Sequence, residues 1–171
     1  MIAMSEPSLQ VKFVTIGVYG FTADAFFETL QRAGVDTFCD IRWRRGVRGR
    51  EYAFANSGRL QKRLGELGLR YLHFRELAPT PALRQRQAAA DKAEGTTKRK
   101  RAALGEFFIT AYREERLAGF DSRKFVEELG PSARVVALFC VEREPAACHR
   151  SLLAARLHED LGVEVVHLRP E

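Results

Sequence analysis

Residues 135–141 read Val-Val-Ala-Leu-Phe-Cys-Val, an apolar run with no alternation. A strand with one exposed face alternates apolar and polar side chains. A strand buried on both faces does not, and such strands belong to parallel sheets covered by helices on each side. Directly after the run come Glu142, Pro145 and the triplet Cys148-His149-Arg150. Proline suits a first helical turn, where its missing N–H would have no partner anyway. The sequence therefore predicts a buried strand feeding a helix whose first turn carries a thiol, an imidazole and a guanidinium. That junction is the expected place of action, as an anion-binding or reactive centre.

The rest of the chain fits the same architecture. Residues 11–17 are β-branched and end at Gly17, which predicts a strand. Thr22 caps a predicted helix that runs through Ala33, is striped by Phe26, Phe27 and Leu30, and stops at Gly34. A second strand is expected over 35–40, ending in Asp40. A helix over 57–67 carries Leu60, Leu64 and Leu67 at helical spacing, and 69–74 reads as a third strand. Ala78-Pro79-Thr80-Pro81 is a rigid connector into a polar helical piece. Beyond Gly95-Thr96-Thr97 and Lys98-Arg99-Lys100-Arg101 lies a helix with Leu104, Phe107, Phe108, Ala111 and Tyr112 on one face. Another runs over 122–129, capped by Asp121. The strand at 135–141, the Cys-His-Arg helix to Gly162 and a last strand over 163–168 complete the order.

Alternating strands and helices predict a single three-layer α/β domain over 11–171. It would be a mostly parallel open sheet of about five strands with helices on both faces and a helical insertion at about 79–130. Residues 1–10 read as a disordered leader. In such sheets ligands bind beyond the carboxyl ends of the strands, at a switch in strand order. Gly17, Tyr19, Asp40, Arg42, Cys140, Glu142 and the helix start at Cys148 are expected to converge there.

Hydrophobic residues make up 46% and charged residues 29%, the balance of a soluble globular protein. The longest apolar run, about seven residues, is far below the ~20 that a spanning helix needs, so no membrane is expected. The first residues include Glu6 and Pro7 and lack the apolar core of a secretory signal. Three cysteines, an odd number, argue against a disulfide framework and for a reducing cytoplasm. The net charge of +6 is clustered, which favours a polyanion partner over a surface that only aids solubility.

Four pieces of the chain are distinctive together: Thr15-Ile16-Gly17, Asp40-Ile41-Arg42, the stretch 138–142 with Cys148-His149-Arg150, and Val165-Val166-His167. In them the chain resembles a bacterial family catalogued as domain of unknown function 488. The pairing of Cys-Val-Glu with Cys-His-Arg is the most specific piece. The resemblance implies a compact α/β domain with these pieces at strand ends, and it implies no particular reaction. The chain departs from the family pattern at Val18, where members commonly carry His. It departs again at Arg44-Arg45-Gly46-Val47, where they often carry a Pro-x-Ser stretch.

Each polar residue near the junction has a chemical and a structural reading. Free N–H groups and the helix dipole favour a thiolate at a helix start, so Cys148 is a candidate nucleophile, aided by His149 and Arg150. The alternative is an inert packing cysteine. Arg42 and Arg150, with His149, form a candidate clamp for phosphate or carboxylate. Alternatively Arg150 pairs with Glu142 and Arg42 with Asp40 to satisfy buried strand ends. Asp40 and Glu142 are candidate catalytic carboxylates that divide into acid and base if their surroundings differ; otherwise each holds an arginine or caps a loop.

Cys140, Cys148 and His149 are soft ligands, but their spacing matches no zinc pattern. Helical neighbours also point about 100° apart, so no metal is expected. A Cys140–Cys148 disulfide would be a redox switch, which a reducing compartment disfavours. Cys39 reads as core and His158 as solvated, while His73 and His167 read as structural residues at strand ends. No Walker-type loop, Gly-x-Gly-x-x-Gly, Gly-x-Ser-x-Gly or His-Glu-x-x-His occurs, and no cofactor is expected.

A second candidate surface is basic. The segment 42–50 holds Arg42, Trp43, Arg44, Arg45, Arg48 and Arg50, with Tyr52 and Phe54 just beyond; Lys98, Arg99, Lys100 and Arg101 form a second cluster. Arginines contact phosphates, and aromatic rings stack on unpaired bases. The alternative is a solvated loop with Trp43 tucked onto the domain. The leading expectation is a cytoplasmic α/β enzyme acting on nucleic acid or a nucleotide phosphate. The competing readings are a non-catalytic nucleic-acid-binding module and a cysteine redox sensor.

Overall fold

The computed structural model describes residues 10–171, so residues 1–9 of the expected leader lie outside the described residues. The strands are β1 (Lys12–Ile16), β2 (Thr37–Asp40), β3 (Arg70–His73), β4 (Val135–Phe139) and β5 (Val165–His167). They form one open sheet in the order β3-β2-β4-β1-β5, with every pair parallel. The helices are α1 (Ala23–Arg32), α2 (Ser57–Glu66), α3 (Pro81–Ala93), α4 (Glu106–Tyr112), α5 (Ser122–Leu129) and α6 (His149–Leu161).

The central position of β4 explains its unbroken apolar sequence. Val136 and Leu138 enter one core with Phe108 and Tyr112 of α4, Phe125 and Leu129 of α5, and Leu153 and Leu157 of α6. Ala137 and Phe139 enter the other with Phe26, Phe27 and Leu30 of α1 and Leu60 and Leu64 of α2. The two cores lie on opposite faces because successive strand side chains point in opposite directions.

The expected caps form. Thr22 accepts a hydrogen bond from Ala25 N, Thr80 from Leu83 N and Asp121 from Lys124 N. Strand limits contract by one or two residues relative to the sequence reading, as frayed ends do. Pro145 opens a separate short turn, Pro145–Ala147, and not α6 itself. The break comes from Cys148, whose extended backbone (φ −137°, ψ 143°) makes it the N-cap of α6. The expected helix around Phe107 and Tyr112 continues through a wider, π-type turn at Arg113–Leu117.

The strand order places the site. The chain passes from β1 by α1 to β2, leaving a gap that β4 later fills. It leaves β1 towards one face of the sheet and β4 towards the other. Register pairs Ile16 and Asp40 with Phe139, so the chain beyond all three strands opens on one crevice.

Candidate functional site

The crevice is built on a close approach. Gly17 follows β1 and lies against the backbone of Glu142, where an added Cβ would stand 2.0 Å from the Glu142 carbonyl oxygen. Val18 and Tyr19 both donate backbone N–H groups to Val141 O, at 2.9 and 3.1 Å. The fully buried Arg150 then saturates the carbonyls of this loop. Its Nη1 donates to Glu142 O (2.6 Å), its Nη2 to Arg143 O (3.2 Å) and its Nε to Thr15 Oγ1 (3.2 Å). The Thr15 hydroxyl, accepting from Arg150, donates onward to His167 Nδ1 at 2.7 Å. Arg150 thus meets Glu142 through the backbone, not the carboxylate.

Asp40 and Arg42 form a second buried unit at the end of β2. Arg42 Nε and Nη2 each donate to one Asp40 oxygen at 2.8 Å, and Arg42 Nη1 donates to Ala55 O at 2.9 Å. Tyr71 OH donates to Asp40 Oδ2 at 2.6 Å, and the Arg42 guanidinium lies 4.7 Å from the centroid of Phe139. Burial, that hydrogen bond and the Asp40 charge push the Tyr71 phenol up to about 12. His73 Nε2 donates to Arg42 O at 2.8 Å. Both guanidinium groups of the expected anion clamp are therefore engaged with acceptors of the protein itself.

Behind this wall Cys140, Cys148 and His149 come together. Their two sulfurs and a ring nitrogen of His149 all lie within 4.8 Å of one another, and all three residues are buried. His149 Nε2 faces Ile41 O at 2.9 Å, which requires the proton on Nε2 and turns the Nδ1 lone pair towards Cys148 Sγ, 3.8 Å away. Cys148 Sγ also accepts Arg150 N–H at 3.5 Å as the helix cap. Burial pushes the Cys148 thiol up, but the Cys140 hydrogen bond and the charges of His149 and Arg150 outweigh it and bring it well below the ordinary thiol value. Burial and the neighbouring Cys148 push Cys140 the other way. Burial also pulls His149 down, and the facing Cys148 reverses the shift. The 100° divergence of helical neighbours does not operate here, because Cys148 lies outside the helical backbone.

In front of the wall lies a cavity of about 670 Å³. Cys140, Val141, Glu142 and His149 line it, together with Trp43, Arg44, Arg84, Lys92, Lys98 and Arg101. The segment after α3 folds across it. Arg101 donates to Asp91 Oδ2, Glu142 Oε1 and Ala147 O at 2.9, 2.9 and 3.0 Å. Lys98 Nζ lies 3.8 Å from Glu142 Oε1. Leu104 N donates to Ala146 O at 2.9 Å, and Arg99 donates to Arg48 O at 2.8 Å while lying over the rings of Tyr19 and Tyr52. Among the described residues, the buried side-chain atoms left without a hydrogen-bond partner are Glu142 Oε2 and Arg84 Nε, and both residues line this cavity. Burial and the nearby Arg44 pull the Arg84 guanidinium below its ordinary value.

The structure thus divides the expected basic surface. Lys98 and Arg101 are drawn to Glu142, Arg99 to the Arg48 backbone, and Trp43 lies under Arg75 at 3.9 Å. Arg44, Arg45, Arg48, Arg50 and Lys100 are exposed. Sequence reasoning missed Arg84, Gln87, Asp91 and Lys92. A signal existed for two of them: Leu83, Gln87 and Asp91 recur every fourth residue, and all three are buried. Gln87 donates to Asp91 Oδ1 and accepts from Gly105 N, which ties α3 to the start of α4.

The model of the family described as Domain of unknown function DUF488 matches residues 22–157, a span that contains β2, β4 and the start of α6. No curated protein and no solved structure matches the chain. No helix among the described residues is long and apolar enough to cross a membrane.

Proposed function

The chain belongs to the DUF488 family, and within it we propose that this protein is an enzyme acting on a nucleotide or a nucleic-acid phosphate held in the cavity between α3 and the ends of β2 and β4. The observation that carries the reading is Glu142. It is only 4% exposed, its Oε1 is held by Arg101 and Lys98, and its Oε2 has no partner. A buried carboxylate oxygen left bare is costly unless a ligand donor fills it.

The two candidate carboxylates take different roles on this reading. Asp40 is fully occupied by Arg42 and Tyr71 and serves as scaffold. Glu142 has the open oxygen and accepts a proton from the reactant. Arg44, Arg84, Lys92 and Lys98 face the same cavity and supply the counter-charge for phosphate. Trp43 offers a ring on which a base can stack. A volume of about 670 Å³ lies within the usual range for small-molecule sites.

Trp43, the only tryptophan, reports directly on the cavity. Its fluorescence is followed on titration with a nucleoside monophosphate and with short single-stranded oligonucleotides. Arg84→Ala with Lys98→Ala is expected to weaken binding by about tenfold or more. Glu142→Gln is expected to keep affinity and lose turnover. Unchanged affinity in the double variant removes the cavity as the site. The exposed Arg44, Arg45, Arg48 and Arg50 favour a second reading, a binding module without catalysis. That reading takes over if affinity depends on Arg48 and Arg50 while Glu142→Gln is silent.

A further inference from the structure

We infer that Cys140, Cys148 and His149 form a site for a thiophilic divalent metal ion, zinc above all, with an open coordination position turned to the cavity. The inference stands apart from the proposed substrate, because it rests on the wall behind the cavity and needs no ligand in front.

The geometry is close to what zinc requires. Cys140 Sγ, Cys148 Sγ and a ring nitrogen of His149 all lie within 4.8 Å of one another, with Nδ1 3.8 Å from Cys148 Sγ. Tetrahedral zinc, with Zn–S near 2.3 Å and Zn–N near 2.1 Å, places such atoms roughly 3.6–3.8 Å apart. Side-chain adjustments of about an ångström or less close the set. The three ligands also come from rigid positions: Cys140 directly follows β4, Cys148 caps α6 and His149 is its first residue.

The surroundings of the ligands point the same way. The Ile41 carbonyl, 2.9 Å from Nε2, fixes the tautomer that leaves Nδ1 free to ligate, and such a carbonyl partner is the usual support for a zinc-bound histidine. Arg150 N–H, already directed at Cys148 Sγ, would support a thiolate ligand. Two thiolates cancel the charge of a divalent ion, so the loaded site is neutral and compatible with Lys98, Arg101 and Arg150 nearby. Both thiols release their protons to solvent on binding.

Three protein ligands leave the fourth position open, the arrangement of reactive rather than purely structural zinc sites. Cys140 and His149 line the cavity while Cys148 does not, so the open position faces the cavity. Glu142, whose Oε2 has no partner, lines the same cavity. It is placed to receive a proton from whatever the ion polarises, not to ligate the ion.

The test uses the full chain, reduced with a phosphine, stripped with a chelator and titrated with cobalt(II). The expected result is one equivalent bound, with a thiolate-to-cobalt charge-transfer band, intense tetrahedral bands in the visible and displacement by zinc. Cys140→Ser and Cys148→Ser should each lose about half of the charge-transfer intensity, and His149→Ala should weaken binding by about 100-fold. Cys39→Ser should change nothing. Where a variant fails to fold, the wild type decides alone: zinc should protect Cys140 and Cys148 from alkylation relative to the protein without zinc. A folded, reduced wild type that gives no thiolate band with stoichiometric cobalt overturns the proposal. So does a band that keeps its full intensity in each serine variant, or zinc that leaves both thiols unprotected.

Discussion

Arg101 Nη2 stands 2.9 Å from Glu142 Oε1, and the contact that fixes one oxygen of this carboxylate leaves the other bare. The same guanidinium holds Asp91 and the Ala147 carbonyl, so one side chain joins α3 to the loop before α6. Arg101→Ala would leave the buried Asp91 without its counter-ion and Glu142 with only Lys98, 3.8 Å away. We expect a loss of about 3–5 kcal/mol in urea unfolding, with Arg101→Lys recovering only part of it. A loss below about 1 kcal/mol would show that the segment across the cavity is held by other contacts.

Gly17 and Gly58 make a matched pair. A Cβ on Gly17 meets the Glu142 carbonyl at 2.0 Å, whereas one on Gly58, in α2, meets nothing within 4 Å. Gly17→Ala is expected to destabilise by about 1–3 kcal/mol or more, because backbone must shift. Gly58→Ala is expected to stabilise by up to about 1 kcal/mol, because alanine favours the helix. Thermal unfolding of the two variants checks both signs.

Thr15 relays between Arg150 and His167. Thr15→Val deprives the buried Arg150 Nε of its acceptor and is expected to cost about 1–3 kcal/mol. Burial, with the charges of Arg150 and Arg169, holds His167 below its ordinary value. A group lowered on folding contributes stability that is present above its unfolded value, near 6.5, and is lost as pH falls through the folded value. The stability difference between the wild type and His167→Gln should therefore shrink as pH drops below 6.5, and a difference that grows would reverse this assignment.

Tyr71 shows the opposite sign. Its phenol is raised from 10.0 to about 12, so its contribution is complete below pH 10 and lost as pH rises towards 12. The gap in stability between the wild type and Tyr71→Phe should close over that interval. A gap that stays constant from pH 9 to pH 12 would mean that Tyr71 does not donate to Asp40.

Much of the architecture was legible because it follows from local pattern. The unbroken run 135–141 implied a strand with helices on both faces, and β4 is the middle strand of the sheet. Thr22 and Asp121 announced their helices by the chemistry of their side chains. What was not legible depends on chain return. Nothing local shows that Lys98 and Arg101 fold back onto Glu142, since the partners lie 44 and 41 residues apart. The convergence of Cys140, Cys148 and His149 was not legible for a definite reason: helical-wheel geometry does not hold at Cys148, whose φ of −137° places it outside the helix. Gln87 and Asp91 are polar residues in a polar helix, and only their four-residue spacing from Leu83 marks them as its buried face.

The strand order also governs how the chain reaches its native state. β1 pairs with β4 and β5, and β2 pairs with β3 and β4, but β1 and β2 never pair with each other. Among the described residues, the only strand pairing available before residue 135 is that of β2 with β3. During synthesis, the strands already made wait as two separate pieces until the middle strand emerges and joins them. The joining of the two pieces is thereby postponed to a late event with high sequence separation, and non-local pairing of this kind slows folding. Chains that end before residue 135 will lack a continuous sheet, whatever helices they form.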